Sequence, residues 1–421
     1  SIDAQSEKLA NLEKQGQTAD IDCVADTAAL KTAYNDGYSG VNILAGSCEA
    51  DLFINGRNFD ITSDGLNGQT LSTQGTYEFD LALNASTVNI TNVDVIGRII
   101  LARNSLMLFT DSDLDCSAYK GLRPGFVAQN SEIQLINANV SGCTSVALKY
   151  DSTLRLRGKT SVSGGTYGNA IYAANDSHIL AIGSVDLVSD IQILMDTTDL
   201  VAGENMPMAI SLRDSLLHLN DSGLTLHGSI YGSSSNMRIS NINWLNDGSV
   251  RKKTIMPHFN SHLELANVDL SDSDVGVFQS ATLNMHSMDS FQISNLDLGF
   301  GAGSTGYITT PIGGGLTSGN QFWAGENSSV SFDVDAAAFP DYVFDLDIAS
   351  SMGSAVYVKA ASITGSYNCG NANQIFFNDV QQCSDVARVA DIDQSVDVVL
   401  ARVADIDQRL DGVLSGKGID V

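Results

Sequence analysis

The sequence predicts an all-β chain wound into a parallel β-solenoid, with a short N-terminal helix and a C-terminal coiled coil. Three observations carry this: a degenerate repeat centred on serine, period-two alternation of apolar residues within each copy, and a tandem heptad pattern at the end. The repeat pairs Asn-Ser or Asp-Ser with an alternating stretch. Examples are Asn104-Ser105-Leu-Met-Leu-Phe, Asn130-Ser131-Glu-Ile-Gln-Leu, Asp151-Ser152-Thr-Leu-Arg-Leu and Asp214-Ser215-Leu-Leu-His-Leu. Further copies align on Ser86, Ser177, Ser235, Ser261, Ser280, Ser328 and Ser354. The intervals are 19, 26, 21, 25, 38, 20, 26, 19, 48 and 26, so the 38 and the 48 are each expected to hide one more copy.

Alternation at period two excludes helix, and no helix-competent half accompanies it, which excludes a leucine-rich repeat. Each copy therefore reads as one coil, whose backbone pairs with the next. Asn or Asp before the serine suits a left-handed turn residue. Leu106, Leu108, Ile133, Leu135, Leu154 and Leu156 are expected to point inward and stack in rows.

The C-terminal signal is a 14-residue duplication, 387–400 and 401–414. With Val389 at position a, the seam is Val389, Ile392, Val396, Val399, Val403, Ile406, Leu410 and Val413, all aliphatic. β-Branched residues at both a and d favour three or more strands over two. Arg388 and Arg402 at g stand five residues before Asp393 and Asp407 at e, the spacing of ion pairs between parallel in-register helices. Ile2, Leu9 and Leu12 give residues 1–17 a weaker helical spacing. The expected domains are a helical attachment segment (1–22), a solenoid body with capped ends (23–384) and a trimerising coiled coil (385–416).

Six cysteines allow 15 pairings. Cys116 and Cys143 fall at nearly the same place in adjacent coils, where strand spacing of about 4.8 Å suits a disulfide. Proximity in sequence suggests Cys23–Cys48 and Cys369–Cys383, one clamp at each end. Three bridges would imply an oxidising environment. The alternative is a set of free buried thiols in a protein assembled in a cytoplasm.

With 22 Lys+Arg against 49 Asp+Glu, the net charge is −27. That excludes a basic nucleic-acid binder, and no apolar run is long enough to cross a membrane as a helix. The segment Ser1–Gln17 is too polar for a signal peptide, though one removed earlier is compatible with this chain. No cofactor motif and no metal-ligand spacing appear. His258 and His262 lie four apart in strand-like sequence, and Gly301, Gly303 and Gly306 form a GxGxxG outside any α/β unit. Arg251-Lys252-Lys253 reads as a solvated turn.

The repeat pattern resembles the right-handed parallel β-helix family, which includes pectate-lyase-like enzymes and bacteriophage tailspikes, over roughly residues 45 to 370. Together with a helical start and a heptad end, it resembles the trimeric tailspike and tail-fibre group. That resemblance implies a homotrimeric spike or fibre on a virion or similar particle, docked through its N-terminal segment and binding a host-surface glycan. Disulfides depart from that group and raise a second expectation, a secreted bacterial adhesin or extracellular filament subunit. A third is a polysaccharide depolymerase, a lyase or glycoside hydrolase. For that, Arg155, Arg157, Lys159 and Glu132 on one face, and Asp111, Asp113 and Asp115 on another, supply side chains but no matching motif. Trp323, Tyr307 and Phe322, around a Gly-rich stretch at 299–325, are the candidate glycan-stacking residues, with covering of the solenoid end as their alternative role.

Overall fold

The computed structural model describes residues 14–382, except 50, 65–68, 73–80, 118–123, 165–168, 184–189, 196–208, 246–252, 288–292, 310, 312–319, 345–346, 351–352, 364–366 and 370–373. From Leu52 to Leu245 each coil contributes one strand to each of three sheets, and the later described coils contribute to two of them. One such coil runs Ile99–Ala102 (sheet II), Leu106–Thr110 (sheet I) and Asp113–Asp115 (sheet III); the next runs Phe126–Gln129, Glu132–Ile136 and Asn139–Ser141. Coil pairs with coil in parallel: Ile99 faces Phe126, Met107 faces Ile133, and Leu114 faces Val140. Among the described residues sheet I has 17 strands, sheet II 14 and sheet III nine. The chain is thus a parallel β-solenoid.

The inward rows are aliphatic and aromatic and form one continuous core. The phase of the alternation is Ser+2 and Ser+4, as in Ile133/Leu135 and Leu154/Leu156, all buried. Leu106 and Leu108 correct the expectation. Met107 and Phe109 point inward there, in register with Ile133 and Leu135, while the two leucines are half-buried on the outer face. Four consecutive apolar residues hide the phase, and the pairing with the neighbouring coil sets it.

The repeat serines build a buried corner between sheets II and I. The Ser105 N–H donates to Ser131 Oγ (3.2 Å), and the Ser131 hydroxyl donates to its own turn carbonyl, Gln129 O (2.8 Å). The same arrangement recurs at Ser131–Ser152, Ser215–Ser235 and Ser235–Ser261. Serine fits because the tight corner leaves an N–H out of the strand ladder, and a small hydroxyl satisfies it without opening the core. The residue before it is left-handed, with φ of 49° at Asn130, 57° at Asp151 and 60° at Asn260. A second corner, between sheets I and III, stacks asparagine amides. Asn267 Nδ2 donates to Asn241 Oδ1, and Asn241 Nδ2 to Asn220 Oδ1, both at 2.7 Å.

The two long intervals resolve differently. The interval of 48 does hold a coil. Thr305–Ile308, preceded by Ser304, pairs with Thr282–His286 on one side and Ser329–Asp333 on the other. The interval of 38 holds none, because His178–Ile182 pairs directly with Leu216–Asn220. The additional length falls between Met195 and Ala209, within a single coil. At the ninth copy Ala281 takes the corner position, and Ser280 is the left-handed residue before it (φ 63°).

Cys23–Cys48 and Cys116–Cys143 are disulfides, with Cα separations of 5.0 and 4.6 Å. Cys383 and the heptads lie outside the described residues, as does the N-terminal segment up to residue 13. Sheet I already begins at Thr18–Asp22, which pairs with Gly40–Ala45. A short helix, Ala29–Asn35, closes the N-terminal end by burying Leu30 and Ala33. The Arg57 guanidinium lies 3.5 Å from the ring centre of Tyr34 on this helix.

Among the described residues sheet III ends at Asn243–Leu245, and Lys253 stands there, buried. Its Nζ donates to Trp244 O (2.8 Å) and Asp269 O (2.9 Å). This corrects the reading of a solvated basic turn for Lys253, whose ammonium caps carbonyls left behind where the sheet stops, while Arg251 and Lys252 lie outside the described residues. Desolvation lowers the Lys253 pKa, opposed by the nearby Asp269 and Asp272 carboxylates. Lys253→Ala is expected to cost about 1–3 kcal/mol for the abandoned buried acceptors. Thermal unfolding of the variant measures it, and a melting temperature equal to wild type would refute the capping role.

Candidate functional site

The outer faces of the two long sheets differ. Sheet I is largely polar outside. Arg155 Nε donates to Glu132 Oε1 (2.7 Å), Gln134 donates to the same oxygen (2.8 Å), and Arg238 and His286 both meet Glu264 at 3.3 Å. Towards its C-terminal end, sheet II carries instead a groove of about 650 Å³, within the range of small-ligand sites.

Two rows of outward positions, side by side on successive coils, make the groove. The polar row is Thr254, Asp274, Asp297 and Gln321, each in register with the next. Two residues further along each strand runs the second row, Gly276, Gly299 and Trp323. Met256 and Phe278 also line it, and Val275, Leu298 and Phe322, which alternate with the two rows along the same strands, border it too. The glycines are the floor: where neighbouring coils place a side chain, these present bare backbone. A methyl group on Gly276 would come within 2.7 Å of the Phe278 ring. At Gly301, which turns the corner beside the groove, it would come within 3.1 Å of both Phe278 and Trp323. Side chains here would push the two rings out of place.

An aromatic line continues across the coils. Trp323 is 6.3 Å from Phe278, Phe278 is 5.4 Å from His258, and His258 is 5.5 Å from Tyr231, measured between ring centres. Trp323 remains 37% exposed. The result is an amphipathic trough, with carboxylates, an amide and a hydroxyl on one flank and ring faces on the other. Such a surface matches a sugar ring, which offers C–H faces to aromatic rings and polar groups at its edge.

The three residues expected to stack on glycans go to three places. Trp323 lines the groove. Its neighbour Phe322 points the other way into the core, 2% exposed, between Phe300 (6.0 Å) and Phe332 (5.0 Å). Alternation along Gln321–Ala324 dictates this opposition. Tyr307 is exposed, but on the outer face of sheet I, in register with Ser331. None of the three covers the end of the solenoid, which continues through Ala355–Lys359 to Gln374–Phe377.

Arg155 and Arg157 share the outer face of sheet I as expected, and Arg155 is held there by Glu132. Asp111 and Asp113 accept hydrogen bonds from Asn137 and Asn139 of the following coil, and Asp115 accepts from the Ser117 N–H. His258 and His262 lie on different sheets; His262 Nδ1 is 2.7 Å from Thr282 Oγ1. No group of three or more metal-ligating side chains occurs among the described residues. The GxGxxG glycines serve the corner and the core: Gly303 has φ 74°, and a methyl on Gly306 would lie 2.5 Å from Phe300.

Sequence reasoning missed Asp274, Gly276, Phe278, Asp297 and Gly299 as members of one site, because they come from coils about 24 residues apart. A signal does exist. Val275-Gly276-Val277 and Leu298-Gly299-Phe300 each put glycine at the outward position of a strand, at the same distance from Asp274 and Asp297. No protein-family model matches the chain, and no curated protein or solved structure matches it.

Proposed function

We propose that this chain is the subunit of a trimeric fibre or spike that binds a surface glycan in the sheet II groove. The observation that carries the reading is the glycine-floored trough with Trp323 at its edge. The solenoid serves as the shaft, its winding right-handed as the crossover rule for parallel strands requires. The heptads of 385–416 tie three shafts in parallel, and the N-terminal segment joins them to a larger particle, in the manner of the tailspike group. A second setting, a secreted adhesin, draws support from the Cys23–Cys48 and Cys116–Cys143 bridges, which favour an oxidising compartment.

A glycan array probed with wild type and Trp323→Ala tests binding at this site. Loss of aromatic stacking is expected to weaken binding by about tenfold or more, with the melting temperature little changed. Binding that survives the substitution unchanged would remove the groove from the account.

A further inference from the structure

The aromatic line is longer than the groove, and its rings are laid along the sheet. A methyl group on Gly299 would meet Trp323 Cε3 at 3.5 Å, and one on Gly301 would meet Trp323 Cζ3 and Cη2 at 3.2 and 3.1 Å. A single ring thus spans two glycines that stand two residues apart on the neighbouring coil. Phe278 does the same, with Cε2 over Gly276 (2.7 Å) and Cδ1 over Gly301 (3.1 Å). Rings seated on glycines in this way turn their faces to solvent, the geometry that stacks on the C–H face of a sugar. From Trp323 the line passes Phe278 and His258 to Tyr231, the last two lying beyond the groove's own lining. Tyr231, Met256, Gly276, Gly299 and Trp323 belong to five successive coils. The line therefore runs along the stacking direction over four strand spacings, about 19 Å.

Building on the glycan reading above, we infer that the ligand is a straight run of about four sugar units laid along the solenoid axis, one for each ring at stacking separation, and not a single terminal sugar. Successive ring centres are 6.3, 5.4 and 5.5 Å apart, so each unit meets a ring of its own. The rings follow coils stacked strand on strand, which suits an equatorially linked, ribbon-like glycan better than one that coils.

The test is calorimetric titration of the intact protein with β-1,4-glucose oligomers of two to six units and with α-1,4-glucose oligomers of the same lengths. Affinity in the β series is expected to rise by about two- to tenfold per unit as far as four units and then to level off. The α series is expected to bind more weakly at every length. Tyr231→Ala is expected to bring the tetramer to the affinity of the trimer and to leave the dimer unchanged, while Tyr231→Phe, which keeps the ring, retains the wild-type profile. Trp323→Ala is expected to weaken every length. Equal affinity for dimer and tetramer, or a tetramer indifferent to Tyr231→Ala, would overturn the extended track. If binding still depended on Trp323, the glycan reading would stand without it. An α series bound as tightly as the β series would overturn the straight chain. No binding of either series would overturn the inference as a whole, while the glycan array with wild type and Trp323→Ala would still decide the glycan reading.

Discussion

Phe322→Ala is expected to destabilise the C-terminal coils by about 3–5 kcal/mol, as for other buried phenylalanines cut to alanine. The ring sits in a column formed by Phe300, Phe322, Phe332 and Phe344, with successive centres 6.0, 5.0 and 5.1 Å apart. Removing one member leaves a cavity that its neighbours on fixed strands cannot fill. Trp323→Ala, one residue on, is expected to cost about 1 kcal/mol, since its ring lies on the surface. The contrast separates core from site: one substitution removes stability, the other removes ligand. Stability in a stacked array is local, so one global melting curve understates the change. Hydrogen-exchange mass spectrometry over residues 293–360 reads it directly. Equal protection in the two variants would contradict the assignment of Phe322 to the core.

Opening the Cys116–Cys143 bridge is expected to lower the stability of the N-terminal half by about 3–4 kcal/mol, from the chain entropy released across a separation of 27 residues. The bridge follows the sheet III strands Asp113–Asp115 and Asn139–Ser141, which are three residues each and have few ladder hydrogen bonds of their own. Urea unfolding of Cys116→Ser/Cys143→Ser against wild type, both without reductant, measures the effect. A midpoint unchanged by the double substitution would show that the stacked strands suffice without the bridge.

The parallel solenoid was legible because each corner repeats a chemical need. A left-handed residue followed by a buried hydroxyl is a local requirement, so Asn-Ser and Asp-Ser recur wherever it arises. Ser304 is hard to read because Gly306 takes the Ser+2 position, where the other copies carry an apolar side chain. The coil after Ser177 was misjudged because an insertion between strands lengthens the repeat without adding a turn. The inward phase at Leu106 was illegible because every residue there is apolar. The groove was legible only in part. Trp323 stands out by type, but its partners are glycines and aspartates, common residues that acquire meaning through register across coils. Phe322 and Trp323, adjacent and both aromatic, were read together, although alternation places them on opposite faces.

The proposed three-fold assembly rests on the heptads from Val389 to Val413, whose β-branched seam favours trimers. In the proposed trimer three grooves would stand on one particle, so weak individual sites would combine on a surface that displays many copies of the glycan. Sedimentation equilibrium of the intact chain tests this most directly. The account predicts a single species of three times 44.5 kDa at micromolar concentration, reduced to one-third of that mass when the chain is cut after Gln382. A monomer of 44.5 kDa for the intact chain would contradict it.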